Sequence, residues 1–173
     1  MKKQIPGQID PEMDMTKDMD LIEGSKGISY WFTTISDIPK DLFRQYVKGK
    51  NFLDIGCGDG RIISLAMIYG AKKYRGIEID EKFIRSSNMQ RYIKKGDFCE
   101  INLNDYDVLY YFLNSDSKGE PELIENLKKF EGVLILYHRK VTHRLQAFQD
   151  NLLNIGFEEI ETIEHLKVYR KEK

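Results

Sequence analysis

The sequence predicts an α/β domain built on a mostly parallel sheet, with an antiparallel hairpin at its carboxyl end. Three observations carry this expectation. From Phe52 onward, short apolar runs alternate with segments of helical periodicity, the pattern of consecutive βα units. The run DVLYYFL, Asp107 to Leu113, is apolar almost throughout, which suits a strand covered on both faces of a parallel sheet. Last, FEEIETI and HLKVYR each alternate with period two and are separated by Glu164, so close together that they must pair antiparallel.

Residues 1 to 27 combine prolines and glycines with a Met/Asp-rich stretch, DPEMDMTKDMDLIEG, and show little sustained periodicity. They are read as a loosely ordered, flexible arm with one helical turn at most; a lid over a site is the alternative. Residues 28 to 173 are read as a single domain. Its first part, SYWFTTISDIPKDLFRQYV, is aromatic, and Asp41 is the expected N-cap of a short helix from Leu42 to Val47. FLDI is the first strand of the alternation. It enters GCGDG and a helix with Ile62, Leu65, Ala66 and Tyr69 on one face, closed by Gly70. YRGIEI is the second strand, Glu81 to Asn88 a short helix, and RYIK the third strand. After the fourth strand come a helix over Glu120 to Phe130 and GVLILYH, Gly132 to His138, as the fifth. Thr142 to Ile155 is a helix with Leu145, Phe148, Leu152 and Ile155 on one face, ended by Gly156.

Composition narrows the function classes. Lys+Arg 27 against Asp+Glu 28 gives a net charge of −1, without the broad basic excess of a non-specific nucleic-acid binder, so nucleic acid is the less expected partner. Cys57 and Cys99 match no paired metal-ligand spacing and are too few for a disulfide framework, which fits a reducing, cytoplasmic setting. No apolar segment follows the N-terminal lysines, and nowhere do about 18 apolar residues run together, so neither a signal peptide nor a membrane span is expected.

The most informative segment is LDIGCGDGR, Leu53 to Arg61, a glycine-rich turn between a strand and a helix. Gly56, Gly58 and Gly60 remove the Cβ atoms that would hold a ligand away from the backbone, and the helix start behind them offers unpaired N–H groups to an anionic or carboxylate end. The spacing is GxGxG, with the third glycine one residue earlier than in the dinucleotide fingerprint GxGxxG. Glu78 stands 18 residues after Gly60 at the end of the second strand, where an acid can accept from both hydroxyls of an adenosine ribose. Asp80 is its rival on the same face. At the end of the third strand, in KKGDF, Asp97 could accept from an adenine amine while Phe98 packs on the ring. Three such signals at the ends of successive strands point to one ligand crevice.

FLDIGCGDGR, YRGIEID, KKGDF and DYDVLYYFL together resemble a class I S-adenosylmethionine-dependent methyltransferase, over roughly residues 50 to 170. The resemblance implies a doubly wound, mostly parallel, seven-stranded Rossmann-like sheet with a C-terminal antiparallel hairpin, and S-adenosyl-L-methionine as cofactor. It implies that Asp54, with Gly56, Cys57, Gly58, Asp59 and Gly60, holds the methionine part, Glu78 the ribose, and Asp97, Phe98 and Ile79 the adenine. Within the family, LDIGCGDGRI with GIEID is similar to the seven-β-strand lysine methyltransferases, those resembling Dot1 and their small archaeal and mitochondrial relatives. Tyr30-Trp31-Phe32-Thr33-Thr34 sits where those relatives carry an aromatic and Pro-Thr-Pro segment, here without the prolines.

Methyl transfer is an in-line displacement that requires donor and acceptor to be held collinear and dry, and it needs no universal catalytic residue. The fourth strand ends Leu113-Asn114-Ser115-Asp116, without the Asn- or Asp-Pro-Pro-aromatic motif of enzymes that methylate exocyclic amines and without a Pro-Cys pair. A base-modifying activity of that kind is therefore not expected, and the resemblance to the lysine methyltransferases implies a protein lysine as the slightly preferred acceptor, with a small molecule next. Tyr30, Trp31 and Phe32 are candidates to wall a channel for a lysine amine, against their alternative as core residues at the sheet edge. Asn114 is a candidate to accept a hydrogen bond from the acceptor or from the donor's amino group, against a plain loop residue. His138 and His143 have no third ligand nearby, so no metal is expected. Arg61 is read as a solvated first-turn residue and Cys57 as a small residue under the ligand. The lysine pairs spread along the chain read as solvated edges. Two other functions stay open: a non-catalytic subunit that binds S-adenosylmethionine, and a nicotinamide-dependent oxidoreductase.

Overall fold

The computed structural model describes residues 21–25, 29–33, 35–113 and 119–171. Two short strands, β1 (Leu21–Glu23) and β2 (Ser29–Trp31), form an antiparallel ribbon, pairing Leu21 with Trp31 and Glu23 with Ser29. The main body follows as α1 (Lys40–Val47), β3 (Asn51–Ile55), α2 (Arg61–Ile68), β4 (Lys73–Glu78), α3 (Glu81–Ser86) and β5 (Ile93–Lys95). It continues with β6 (Val108–Leu113), α4 (Glu120–Leu127), β7 (Val133–His138), α5 (His143–Asn154), β8 (Phe157–Ile163) and β9 (Leu166–Lys171).

These strands make a 7-stranded sheet in the order β5-β4-β3-β6-β7-β9-β8. The first five run parallel, and β9 lies antiparallel between β7 and β8. Every residue of β7 is buried, as the unbroken apolar run VLILYH requires of a central strand. The helices divide between the two faces. Leu53, Ile55, Leu109, Tyr111, Leu134 and Leu136 pack with Leu123 and Leu127 of α4 and Leu145, Phe148 and Leu152 of α5. On the opposite face Phe52, Val108, Tyr110, Ile135 and Tyr137 meet Leu42, Phe43 and Val47 of α1 and Ile62, Leu65 and Ala66 of α2. The sheet is thus doubly wound, and its order reverses between β3 and β6, where such sheets place their ligands.

Several element ends differ from the sequence expectation. Asp41 is not an N-cap: α1 starts at Lys40 behind Pro39, whose φ of −60° already suits a helix entrance, and Asp41 falls in the first turn. RYIK is not a strand throughout, because Gln90–Tyr92 is a 3-10 turn and only Ile93–Lys95 pairs with Gly76 to Glu78. The helix expected to Asn88 ends at Ser86, and the Ser87 hydroxyl is taken up by Asp59 O and Met89 N. The helix expected to Phe130 ends at Leu127, since Lys128, Lys129 and Phe130 donate to carbonyls three residues back and tighten the last turn. Glu164, at φ 50°, and His165 together turn the final hairpin, so β9 begins at Leu166. The β1–β2 ribbon carried no strand signal in the sequence; three residue pairs are too few to show a period.

Candidate functional site

The carboxyl ends of β3 and β4 meet in the glycine loop. Gly56 N and Cys57 N both donate to Ile77 O at 3.0 Å, fixing the loop to β4. Gly56 has φ 70°, and a Cβ there would meet nothing within 4 Å, so the backbone faces open space. Gly58, at φ 53°, is covered instead, because a Cβ on it would overlap the ring of Phe32. The buried carboxylate of Glu78 accepts from Gly58 N through one oxygen and from Ile79 N and Asp80 N through the other, each at 2.8 Å. Burial raises its pKa, and the three N–H groups work in the opposite direction. Since a carboxylate offers about four acceptor positions, Glu78 braces the loop and retains one.

Asp54, the inward residue of β3 just before the loop, is 2% exposed, and its Oδ2 has no hydrogen-bond partner among the described residues. Burial pushes its carboxyl well above the ordinary range, with Glu78 and Asp59 adding repulsion. An unpaired buried acid is costly and marks a position for a cationic or donor group.

A second layer comes from the segment before α1. The Arg61 guanidinium forks onto Asp59, with Nη2 at 2.7 Å from Oδ2, donates to Thr33 O at 3.3 Å, and lies 4.8 Å from the Phe32 ring centre. Phe32 also meets Phe83 edge-on at 5.1 Å. Ser25 N donates to Asp80 Oδ2 at 2.9 Å, and Lys82 Nζ to Glu23 O at 2.5 Å. Thr33 Oγ1 lies 2.9 Å from Tyr110 OH. The chain from Glu23 to Thr33 is therefore tied at four points across the ends of β4, the glycine loop and β6. Burial acts to raise the Asp80 pKa, but the Ser25 and Lys82 hydrogen bonds prevail and hold it below the usual value.

No protein-family model matches the chain. Over 97 residues it is 36% identical to a protein-lysine N-methyltransferase of Saccharolobus islandicus, which covers 49% of this chain and 59% of that protein. Over 161 residues it is 29% identical to a ribosomal protein L11 methyltransferase of Dictyoglomus thermophilum, covering 83% and 52%. The chain thus spans about half the length of the curated relatives it matches. Among solved structures it superposes on a ribosomal protein L11 methylase of Lactobacillus delbrueckii with a TM-score of 0.58, at 14% identity over 77% of each chain. An S-adenosylmethionine-dependent methyltransferase of Mesorhizobium loti gives 0.55, at 13% identity over 76% of this chain and 96% of that one. The chain thus has the fold of these solved methyltransferases, and the curated proteins it resembles in sequence are methyltransferases.

The remaining candidates fall at the ends of β4 and β5, in β2, on the packed elements beside them, or outside the described residues. Ile79 is 67% exposed, an apolar side chain standing free beside Glu78. Asp97 accepts from Cys99 N at 2.9 Å and caps the turn Phe98–Glu100. Phe98 is half-buried, and its ring lies against Gly119 at the head of α4. Tyr30 and Trp31 have their backbone in β2, while their side chains and the whole of Asn114 lie outside the described residues. Phe32 is a packing residue, buried on Gly58. The reading of Arg61 as solvated is overturned, because its ion pair with Asp59 leaves its side chain 17% exposed. Cys57 packs its thiol over Gly76 beside Ile63, and burial raises its pKa well above the ordinary value. His138 is buried and His143 exposed; among the described residues no group of three or more His, Cys, Asp or Glu is placed to hold a metal. Ser25, Thr33 and Tyr110 were missed by sequence reasoning, since nothing local to them records contacts 55 and 77 residues away.

Proposed function

We propose that the chain is a methyltransferase that moves the methyl group of S-adenosylmethionine to a protein side chain, a lysine amine before others. The observation that carries the donor half is the unpartnered, buried Asp54 Oδ2 next to the open backbone of Gly56. A buried carboxylate beside this open stretch of backbone suits the α-ammonium of an amino acid. In this reading Asp54 with Gly56, Cys57 and Gly58 holds the methionine end, and Asp59 and Gly60 complete the turn. The remaining acceptor position of Glu78 takes a ribose hydroxyl, and Ile79, Asp97 and Phe98 bound the adenine.

When bound, S-adenosylmethionine supplies an electrophilic methyl group on a sulfonium centre. The protein's share is to align the acceptor and keep water out, which the Phe32–Arg61–Asp59 layer serves by covering the loop. A protein acceptor is supported by the names of the curated relatives, a protein-lysine and a ribosomal protein L11 methyltransferase.

Thermal unfolding with S-adenosylhomocysteine, S-adenosylmethionine and NAD in separate samples tests the donor. At 100 times its dissociation constant a ligand stabilises by about 2.7 kcal/mol, a shift of about 5–11 °C for a chain of this size. A shift with the first two alone is the expected result. A shift with NAD alone would replace this reading by an oxidoreductase. Transfer of labelled methyl to ribosomal protein L11 or poly-L-lysine tests the acceptor, and binding without transfer to any protein or amine would favour the non-catalytic subunit.

A further inference from the structure

We propose that His138 is the residue that faces the methyl acceptor and receives its proton, an inference that rests on the methyltransferase reading. Its position comes from the sheet register. Ile55 pairs with Tyr111 and Tyr111 with Leu136, so these three form one lateral row across β3, β6 and β7. His138, opposite Leu113, stands two residues beyond that row, level with the glycine loop. It is two strand spacings from β3, about 10 Å. Glu78 lies on β4, on the other side of β3. A donor with its ribose at Glu78 and its amino-acid end on the loop leaves the β6–β7 side for the acceptor.

The state of the ring is the second observation. His138 is 5% exposed, and neither Nδ1 nor Nε2 has a hydrogen-bond partner among the described residues. Its backbone is fixed, with N–H donating to His165 O at 2.9 Å, and its ring stands edge-on to the His165 ring at 6.1 Å. A histidine kept only for packing would satisfy at least one nitrogen, because each unpaired buried polar group costs about 1–3 kcal/mol. Burial, with Lys167 and His165 nearby and Glu159 opposing them, holds its pKa below the ordinary value, so the ring is neutral near pH 7 and keeps one nitrogen free to accept.

The chemistry closes on that nitrogen. The amine lone pair forms the N–C bond while the C–S pair returns to sulfur, and the imidazole accepts the amine's N–H proton as that bond forms, leaving a neutral methylated amine and an imidazolium. The full chain with ¹⁵N-labelled histidine, saturated with S-adenosylhomocysteine and titrated with n-butylamine as a lysine mimic, tests the contact. The His138 ring resonances are expected to move and those of exposed His143 to stay. An unmoved His138 overturns the proposal, whereas failure of S-adenosylhomocysteine to bind, seen before amine is added, overturns the underlying reading. In transfer to poly-L-lysine, His138→Gln is expected to lower kcat by on the order of 100-fold with S-adenosylhomocysteine affinity unchanged. A kcat within about threefold of the parent, with affinity unchanged, also overturns it.

Discussion

Asp54 brings a carboxyl into the core without a partner, and its two roles pull in opposite directions. Its raised pKa means that the folded chain holds a proton that the unfolded chain releases. Its effect on stability is therefore least harmful below the ordinary carboxylate value of about 4, and stability declines as pH rises from there toward the folded pKa. Urea unfolding between about pH 5 and 8 is expected to show this decline, and Asp54→Asn to flatten it. That variant is also expected to stabilise the unliganded chain by about 1 kcal/mol, or 2–4 °C, while weakening S-adenosylhomocysteine at least about tenfold in calorimetry. Glu78 behaves otherwise, because its carboxylate already binds Gly58, Ile79 and Asp80 N–H. Glu78→Ala is expected to lose about 2–4 kcal/mol of cofactor affinity and also to lower the melting temperature, since three backbone donors lose their acceptor. Calorimetry and thermal unfolding of the same variant separate the two losses. Glu78 was legible as a strand-end acid, but its brace on the loop was not, because a hydrogen bond from Gly58 spans 20 residues and two strands.

At the scale of elements, the decisive unit is the ribbon and the chain that follows it, from Glu23 to Thr33. Phe32 fills the space over Gly58, Arg61 closes over Phe32, and Asp59 fixes Arg61. Phe32→Ala is expected to cost about 3 kcal/mol and to free Arg61, raising hydrogen exchange at Gly58 and Gly60 while the protection of β6 and β7 stays. Equal loss of protection throughout the sheet would show that Phe32 supports the whole fold and not this corner. Residues 21–25 and 29–33 read as an arm and an aromatic segment in the sequence, because a strand of three residues has no measurable period. The helices were placed correctly, but the start of α1 and the ends of α3 and α4 were not. Pro39, Ser87 and the three-back hydrogen bonds after Leu127 set those ends through cap geometry that apolar spacing does not record.

Over the whole molecule, the final hairpin closes both cores: Phe157 and Tyr169 enter one face of the sheet, Leu166 and Val168 the other, and all four are at most 1% exposed. Removal of residues 157–173 is expected to abolish cooperative unfolding in near-UV circular dichroism rather than to yield a stable five-stranded domain, because β7 would expose a fully buried strand edge. The alternation of strands and helices, the glycine loop at the end of the first parallel strand and the antiparallel hairpin were determined by the sequence itself. Each is a local pattern: burial on one or two faces fixes the apolar period, and a tight turn against a ligand fixes glycine. Tertiary structure alone decided that Arg61 is held by Asp59 and Thr33, that Tyr110 reaches Thr33, that the Cys57 thiol packs over Gly76 and that His138 is buried with no hydrogen-bond partner for its ring among the described residues. Those states depend on side chains brought together from distant strands, where packing and desolvation act on neighbours that no window of the sequence contains.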